Sequence, residues 1–239
     1  MDLPPHLARI LPDGLAGNPP LITLIFTNIV TIALAVMENW DLATVLFIYW
    51  AQSVIIGIFA VISLLSADTT ALAGEFGKAQ AEAGGSPVVS RRFAGFYKVL
   101  LAGFFTLHYG LFHWGYYSFI VEGWIFGPVD FTAAGIWISC ALFFANHLYS
   151  FLYHRGDEKK DGEFVNRQFF EPYNRIIPMH LTIIFGSIIV VALEFLGIPA
   201  TLPVLVFFLV LKTWLDIKMH LRKHYELLHP DEPKMYVSF

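Results

Sequence analysis

Residues 42–66 read LATVLFIYWAQSVIIGIFAVISLLS and contain no Asp, Glu, Lys or Arg. A transmembrane helix needs about 20 consecutive, mainly apolar residues, so this segment is long enough to cross a bilayer. Other stretches along the chain meet the same requirement, and the full set lies at about 20–37, 42–66, 94–121, 131–154, 174–196 and 200–221. The sequence therefore predicts an all-α fold, a bundle of six transmembrane helices.

The composition supports a membrane protein. Of the 239 residues, 56% are hydrophobic and only 14% are charged, and the mean hydropathy is +0.62, whereas soluble domains carry about 25% charged residues. The polar segments are too short to hold a core of their own, so residues 1–239 are predicted to form a single transmembrane domain with the lipid bilayer as its partner. The basic residues form no patch that would bind nucleic acid, and the sequence identifies no protein partner.

The charged residues between the apolar stretches predict an orientation. The connections after the first, third and fifth stretches carry acidic but no basic residues, whereas the opposite connections and the C-terminal tail carry most Lys and Arg residues. By the positive-inside rule, both termini face the cytoplasm, in a multi-pass protein of the inner membrane. The connector at 67–92 is rich in Gly and Ala, which predicts a mobile cytoplasmic loop in which a short amphipathic helix can form.

Several ionisable side chains fall within the predicted spans, where a charge costs about 2.5–3.5 kcal/mol at the helix centre. Lys212, Asp216 and His220 recur every four residues and share one face of the last helix. Because charges inside a membrane pair with one another, the sequence predicts a charge pair between Lys212 and Asp216.

Histidines and Asp216 together suggest a metal centre in the cytoplasmic half of the bundle. Imidazole and carboxylate groups are ligands of divalent transition metals, and the candidate ligands are His108, His147, His180, Asp216 and His220. His108 and His113 are five residues apart and point in directions about 140° different, so only one can join such a centre, and depth in the helix favours His108. No compact motif such as HExxH is present, and neither a reaction nor a catalytic residue is predicted.

Polar residues on the remaining helices leave two alternatives open. Asn28, Tyr49, Gln52 and Asn146 can line a polar pathway in which the Asp, His and Lys residues act as a relay, as in a proton or small-solute transporter. The same groups can instead serve only as hydrogen bonds between helices in a structural or assembly protein. The three hypotheses differ in outcome, since they predict bound metal, flux without metal, or an effect on stability alone.

Several motifs resemble a known family. They are YWAQS at 49–53, His108-Tyr109-Gly110, Asn146-His147 through Ser150-Phe151, PYNRIIPMHLTIIFG at 172–186, and LKTWLD at 211–216 followed by His220 and His224. Together they resemble a prokaryotic integral-membrane family catalogued as domain-of-unknown-function family 6498, over most of the chain from the second helix onward. The resemblance implies a compact multi-helix membrane protein and supplies no activity, ligand or catalytic residue.

Overall fold

The computed structural model describes residues 19–86, 88–123, 125–154 and 162–198, together with 212–214, 217–218 and 221. The long helices in this part of the chain are α1 (Pro19–Met37), α2 (Leu42–Leu65), α3 (Thr69–Glu82), α4 (Arg91–Val121), α5 (Ala134–His154) and α6 (Gly162–Phe195). No strand occurs among these residues. The all-α prediction is confirmed.

Four of the helices are long and apolar enough to cross a membrane: α1, α2, α5 over Ala134–Tyr153, and α6 over Phe164–Phe195. Helix α4 has 31 residues but is less apolar, since its Tyr, His and Gly residues dilute the Leu and Phe residues. The predicted last span, 200–221, lies almost entirely outside the described residues. The structure thus supports a helical membrane protein, with four of the predicted segments suited to span a bilayer.

One helix begins earlier than the sequence predicts, and another forms within the connector between two spans. Helix α6 begins at Gly162, well before the start predicted at 174, because the charged residues of its first turns conceal a buried side that includes Phe164 and Val165. Helix α3 occupies just over half of the connector at 67–92, in which the sequence allows a short amphipathic helix. A search for long apolar runs therefore finds the hydrophobic middle of a helix and misses amphipathic turns beside it.

Helix α3 begins at a side-chain cap and packs on α4. Asp68 stands at the N-cap and its carboxylate accepts the Thr70 N–H at 2.7 Å, which satisfies one of the free donors of the first turn. Leu72 and Ala73 are buried, and the Phe76 ring meets the Tyr97 ring of α4 edge-on at 5.0 Å between centroids. The apolar side of α3 thus lies against the bundle while its polar side stays exposed.

Helix α2 lies at the centre of the bundle. It packs against α4, α5 and α6, while α1 packs mainly against α5. A helix that is apolar on all sides suits such a central position. The ammonium group of Lys98 donates to the carbonyl oxygens of Leu65 and Ala67 at 2.9 and 3.0 Å, so that a cation from α4 satisfies carbonyls at the C-terminal end of α2.

Close packing joins α5 to the turn that follows α1. The Trp40 indole N–H donates to the Glu38 carboxylate at 2.8 Å, and Trp40 is buried. Gly135 in the first turn of α5 lies directly against both side chains, because a Cβ placed there would be 2.6 Å from the Trp40 ring and 2.7 Å from the Glu38 carboxylate. Only glycine fits at this position without movement of a buried ring.

We expect Gly135→Ala to destabilise the protein by about 1–3 kcal/mol, the usual cost of overpacking a filled site. Gly103→Ala on α4 is the matched control, since a Cβ at Gly103 meets no atom within 4 Å and alanine is the better helix former. Thermal unfolding of the two variants in the same detergent checks this. Equal melting temperatures for the two variants would contradict the packing described for Gly135.

Protection of the α3 amides from hydrogen exchange should depend on pH, because the Asp68 carboxyl that caps this helix titrates. The Thr70 N–H bonded to Asp68 lowers the pKa of that carboxyl below its ordinary value of 3.8. The stabilisation is therefore fully present above pH 3.8 and is lost as the pH falls through the lower pKa of the folded state. Hydrogen exchange of α3 amides, corrected for the chemical rate, should show protection falling in that acid range.

Asp68→Asn is the control for this measurement, because asparagine caps a helix about as well and does not titrate. In that variant, α3 protection should not change over the same pH range. An equal loss of α3 protection at acid pH in both proteins would show that a group other than Asp68 causes it.

Candidate functional site

Lys212 lies inside the protein among residues of three helices. Its side chain is 5% exposed, and its ammonium group donates to Asn28 Oδ1 of α1 at 2.6 Å. The ammonium nitrogen also lies 4.2 Å from the centre of the Phe143 ring of α5 and 5.8 Å from that of Tyr49 of α2. Aromatic faces attract cations most strongly where water is excluded. The surroundings of Lys212 thus suit a positive charge.

A small cavity adjoins this lysine. Its polar lining comes from Asn28, Thr31, Tyr49 and Lys212, and its apolar lining from Ile32, Val45, Ile48 and Phe143. The space is close to what a single water molecule requires. Helices α1, α2 and α5 therefore line a minute, mainly apolar chamber beside one cationic side chain.

Further hydrogen bonds join α1 and α2 to α5. The Thr23 hydroxyl of α1 donates to Asn146 Oδ1 at 2.7 Å, and the Gln52 amide of α2 donates to His147 Nε2 at 3.4 Å. Asn146 is buried and Gln52 is 1% exposed. Two neighbouring residues of α5 thus reach two different helices.

Polar contacts between α2 and α4 lie next to these bonds. The Tyr109 hydroxyl donates to the Ser53 carbonyl at 2.9 Å and accepts the Ser53 hydroxyl proton at 2.8 Å. Gly57, one turn further along α2, lies beneath the Tyr109 ring, since a Cβ there would be 2.6 Å from it. The missing side chain lets the tyrosine approach the backbone of α2 closely enough to bond with it.

We name the buried polar residues Asn28, Tyr49, Gln52, Ser53, Asn146 and Lys212 the polar belt. Each is nearly inaccessible from outside, and together they come from α1, α2, α5 and the segment that carries Lys212. Four of them, Asn28, Tyr49, Gln52 and Asn146, are the residues predicted to line a polar pathway. The structure places all four inside the bundle, where hydrogen bonds hold neighbouring helices in register.

Two histidine–tyrosine hydrogen bonds join α4 to α6. His108 Nδ1 lies 2.9 Å from the Tyr173 hydroxyl, and His180 Nδ1 lies 3.1 Å from the Tyr116 hydroxyl. Each helix supplies one histidine and one tyrosine, and both imidazoles lie at exposed positions. These bonds account for two of the histidines that the sequence assigned to a metal centre.

The predicted metal ligands do not assemble in the described part of the chain. His108, His147 and His180 each contact a different polar partner, on α6, α2 and α4 respectively, and no three His, Cys, Asp or Glu side chains lie together among the described residues. Asp216 and His220 lie outside those residues. The metal centre and the Lys212–Asp216 pair therefore stay predictions, and Asn28 is one observed partner of Lys212.

His113, which was not chosen as a candidate ligand because of its depth in the helix, lies in the interior of the protein. His113 is 4% exposed whereas His108 is exposed. The spacing could have shown this, because Phe105, Tyr109, His113, Tyr116 and Ile120 recur at intervals of three or four and form the buried face of α4. Depth along a helix placed His108 near the middle, but the direction of the side chain determines burial.

Comparison with known proteins identifies the family. The model of a family of unknown function, DUF6498, matches residues 11–232, which is nearly the whole chain. Neither the search of curated proteins nor the search of solved structures finds a match. The chain belongs to the DUF6498 family, as the motifs around the polar belt and α6 predicted.

Proposed function

We propose that this protein carries protons across the membrane, alone or together with a small solute, through the polar belt with Lys212 as its titrating group. The observation that carries the proposal is the burial of Lys212 against Asn28 and two aromatic rings. A charged side chain within a membrane is costly, and such residues are typical of ion and proton pathways. Lysine also changes its protonation readily when it is removed from water.

The chemistry of the belt supports a proton pathway over a metal centre. The hydroxyl groups of the belt and the neighbouring imidazole of His147 both donate and accept hydrogen bonds and can pass a proton on, and the amide groups can hold the water molecules that do the same. The bonds of Thr23 with Asn146 and of Gln52 with His147 provide such groups three to five residues along α1, α2 and α5 from the residues that line the chamber, on one side of it. A metal site would require several of the histidines at one point.

A six-span topology with both termini in the cytoplasm completes the proposal. It rests on four apolar helices, on the length of α4, and on the apolar residues at 200–221. The distribution of Lys and Arg supports this orientation in the inner membrane. Lys212 would then titrate in a helix that crosses the bilayer.

Proton flux into liposomes tests the function. Purified protein in vesicles that contain a pH-sensitive dye should conduct protons faster than empty vesicles when a pH gradient is applied. Lys212→Met removes the titrating group at similar length, and we expect flux to fall by about tenfold or more, because intramembrane ionisable residues are typical of proton pathways. Lys78→Met on the exposed side of α3 is the control and should conduct normally.

Lys212→Arg separates a relay from a purely structural role. Arginine keeps a cation beside Asn28 and the rings but does not release its proton in proteins. A relay predicts a stable protein without flux, whereas a structural role predicts that Lys212→Arg behaves as the wild type in both stability and flux. Wild-type vesicles that conduct no faster than empty ones would overturn the proposal.

Labelling of single cysteines tests the topology. Cys140 is the only cysteine, so Cys140→Ala provides a background free of thiols. In that background, Glu122→Cys, at the end of α4, should react with a membrane-impermeant reagent added to intact cells. Gln80→Cys, on α3, should react only after the membrane is opened. The reverse pattern would contradict the orientation.

A further inference from the structure

One imidazole in the interior of the bundle has an unusual hydrogen-bonding state. His113 Nδ1 lies 2.9 Å from the carbonyl oxygen of Tyr109. A carbonyl oxygen only accepts, so Nδ1 must carry the proton and Nε2 is left as an acceptor. Within the part of the chain that the structure describes, Nε2 is buried and has no hydrogen-bond partner. Buried polar atoms are nearly always bonded, so an exception indicates a missing partner or a chemical role.

Aromatic rings surround this imidazole on its own helix. The Tyr109 ring is stacked on it at 4.1 Å between centroids, and the Tyr116 ring meets it edge-on at 6.1 Å. An imidazolium at this position would lie against an aromatic face that stabilises a cation. The ring therefore has an aromatic face beside it in both protonation states.

The helices packed against α4 add no carboxylate or ammonium group to the contacts described around His113. From α2, the Trp50 indole donates to the His113 carbonyl at 2.8 Å. From α6, the Tyr173 ring packs on Tyr109 at 5.7 Å, and the His180 ring lies beyond Tyr116. Helix α3 meets α4 far away, at Phe93 and Tyr97. No described opposite charge therefore holds His113 in one protonation state.

We propose that His113 is a second proton-accepting site of the protein, on the α4 side of the polar belt. The Nε2 lone pair takes up a hydrated proton, H3O+, which forms an N–H bond and an imidazolium and leaves one water molecule, while Nδ1–H stays bonded to the Tyr109 carbonyl. Release of the same proton restores the neutral ring. Histidine suits this role because its protonation changes near neutral pH.

The position of His113 connects this site to the belt. The Tyr109 carbonyl accepts the hydrogen bond from His113 Nδ1–H. The hydroxyl of the same tyrosine is hydrogen-bonded to Ser53. Ser53 neighbours Gln52, whose amide bonds to His147. A role of His113 in transport rests on the proposed proton pathway, whereas the protonation of its ring can be measured without any transport.

Nitrogen NMR of the full chain, labelled with ¹⁵N-histidine in lipid nanodiscs, tests the site directly. At high pH, the His113 signals should show a neutral ring with the proton on Nδ1, and at low pH both nitrogens should carry protons. The signals that are missing from the spectrum of His113→Asn are those of His113. A ring with its proton on Nε2, or no change between about pH 5 and pH 8, would overturn the inference.

Flux measurements with the same variant show whether the site takes part in transport. Asparagine at this position retains a donor for the Tyr109 carbonyl but cannot take up a proton, so we expect flux to fall by about tenfold or more. Thr106→Ala, which removes an exposed hydroxyl bonded to its own helix at Ala102, is the control and should conduct normally. Unchanged flux in His113→Asn would exclude a role in transport.

The two proposals fail in different ways. If His113 titrates but wild-type vesicles conduct no protons, the proposed function is wrong and the protonation site remains. If wild-type flux depends on Lys212 and His113 keeps one protonation state, the function remains and the second site is wrong.

Discussion

The hydrogen bond between Lys212 and Asn28 shows the constraint on which the rest of the structure depends. Lipid offers no partner to an ammonium or amide group, so each must be satisfied by the protein itself. Lys212 therefore requires α1 to present Asn28, and α2 and α5 to present Tyr49 and Phe143. Three helices are held in register because one cation must be surrounded.

Helix α2 meets this constraint by burying polar groups in its middle. Gln52 and Ser53 are almost inaccessible, and each reaches a different helix, α5 through His147 and α4 through Tyr109. Most of the remainder of α2 is apolar and packs closely on its neighbours. Apolar packing thus brings the helices together, and the few polar bonds select one arrangement among many of similar packing energy.

The sequence could predict the helices because the length and continuity of apolar runs are local properties. It placed α1, α2 and α5 within a few residues and missed the first turns of α6, whose apolar side is interrupted by charges. It could also predict that Asn28 and Gln52 face inward, since lipid excludes them. The bond between Asn28 and Lys212 joins residues 184 positions apart, and no spacing rule relates such positions.

His108 and His113 differ in burial because they lie on different faces of α4. Depth along α4 favoured His108, whereas the spacing of Phe105, Tyr109, His113 and Tyr116 marks the buried face, which α2 covers at Trp50. Tyr49 contacts Lys212 and Trp50 contacts His113, and consecutive residues of a helix point about 100° apart. The two sites therefore lie on different sides of α2, so the proton pathway that we propose would have to pass around that helix, where Gln52 and Ser53 provide the polar groups.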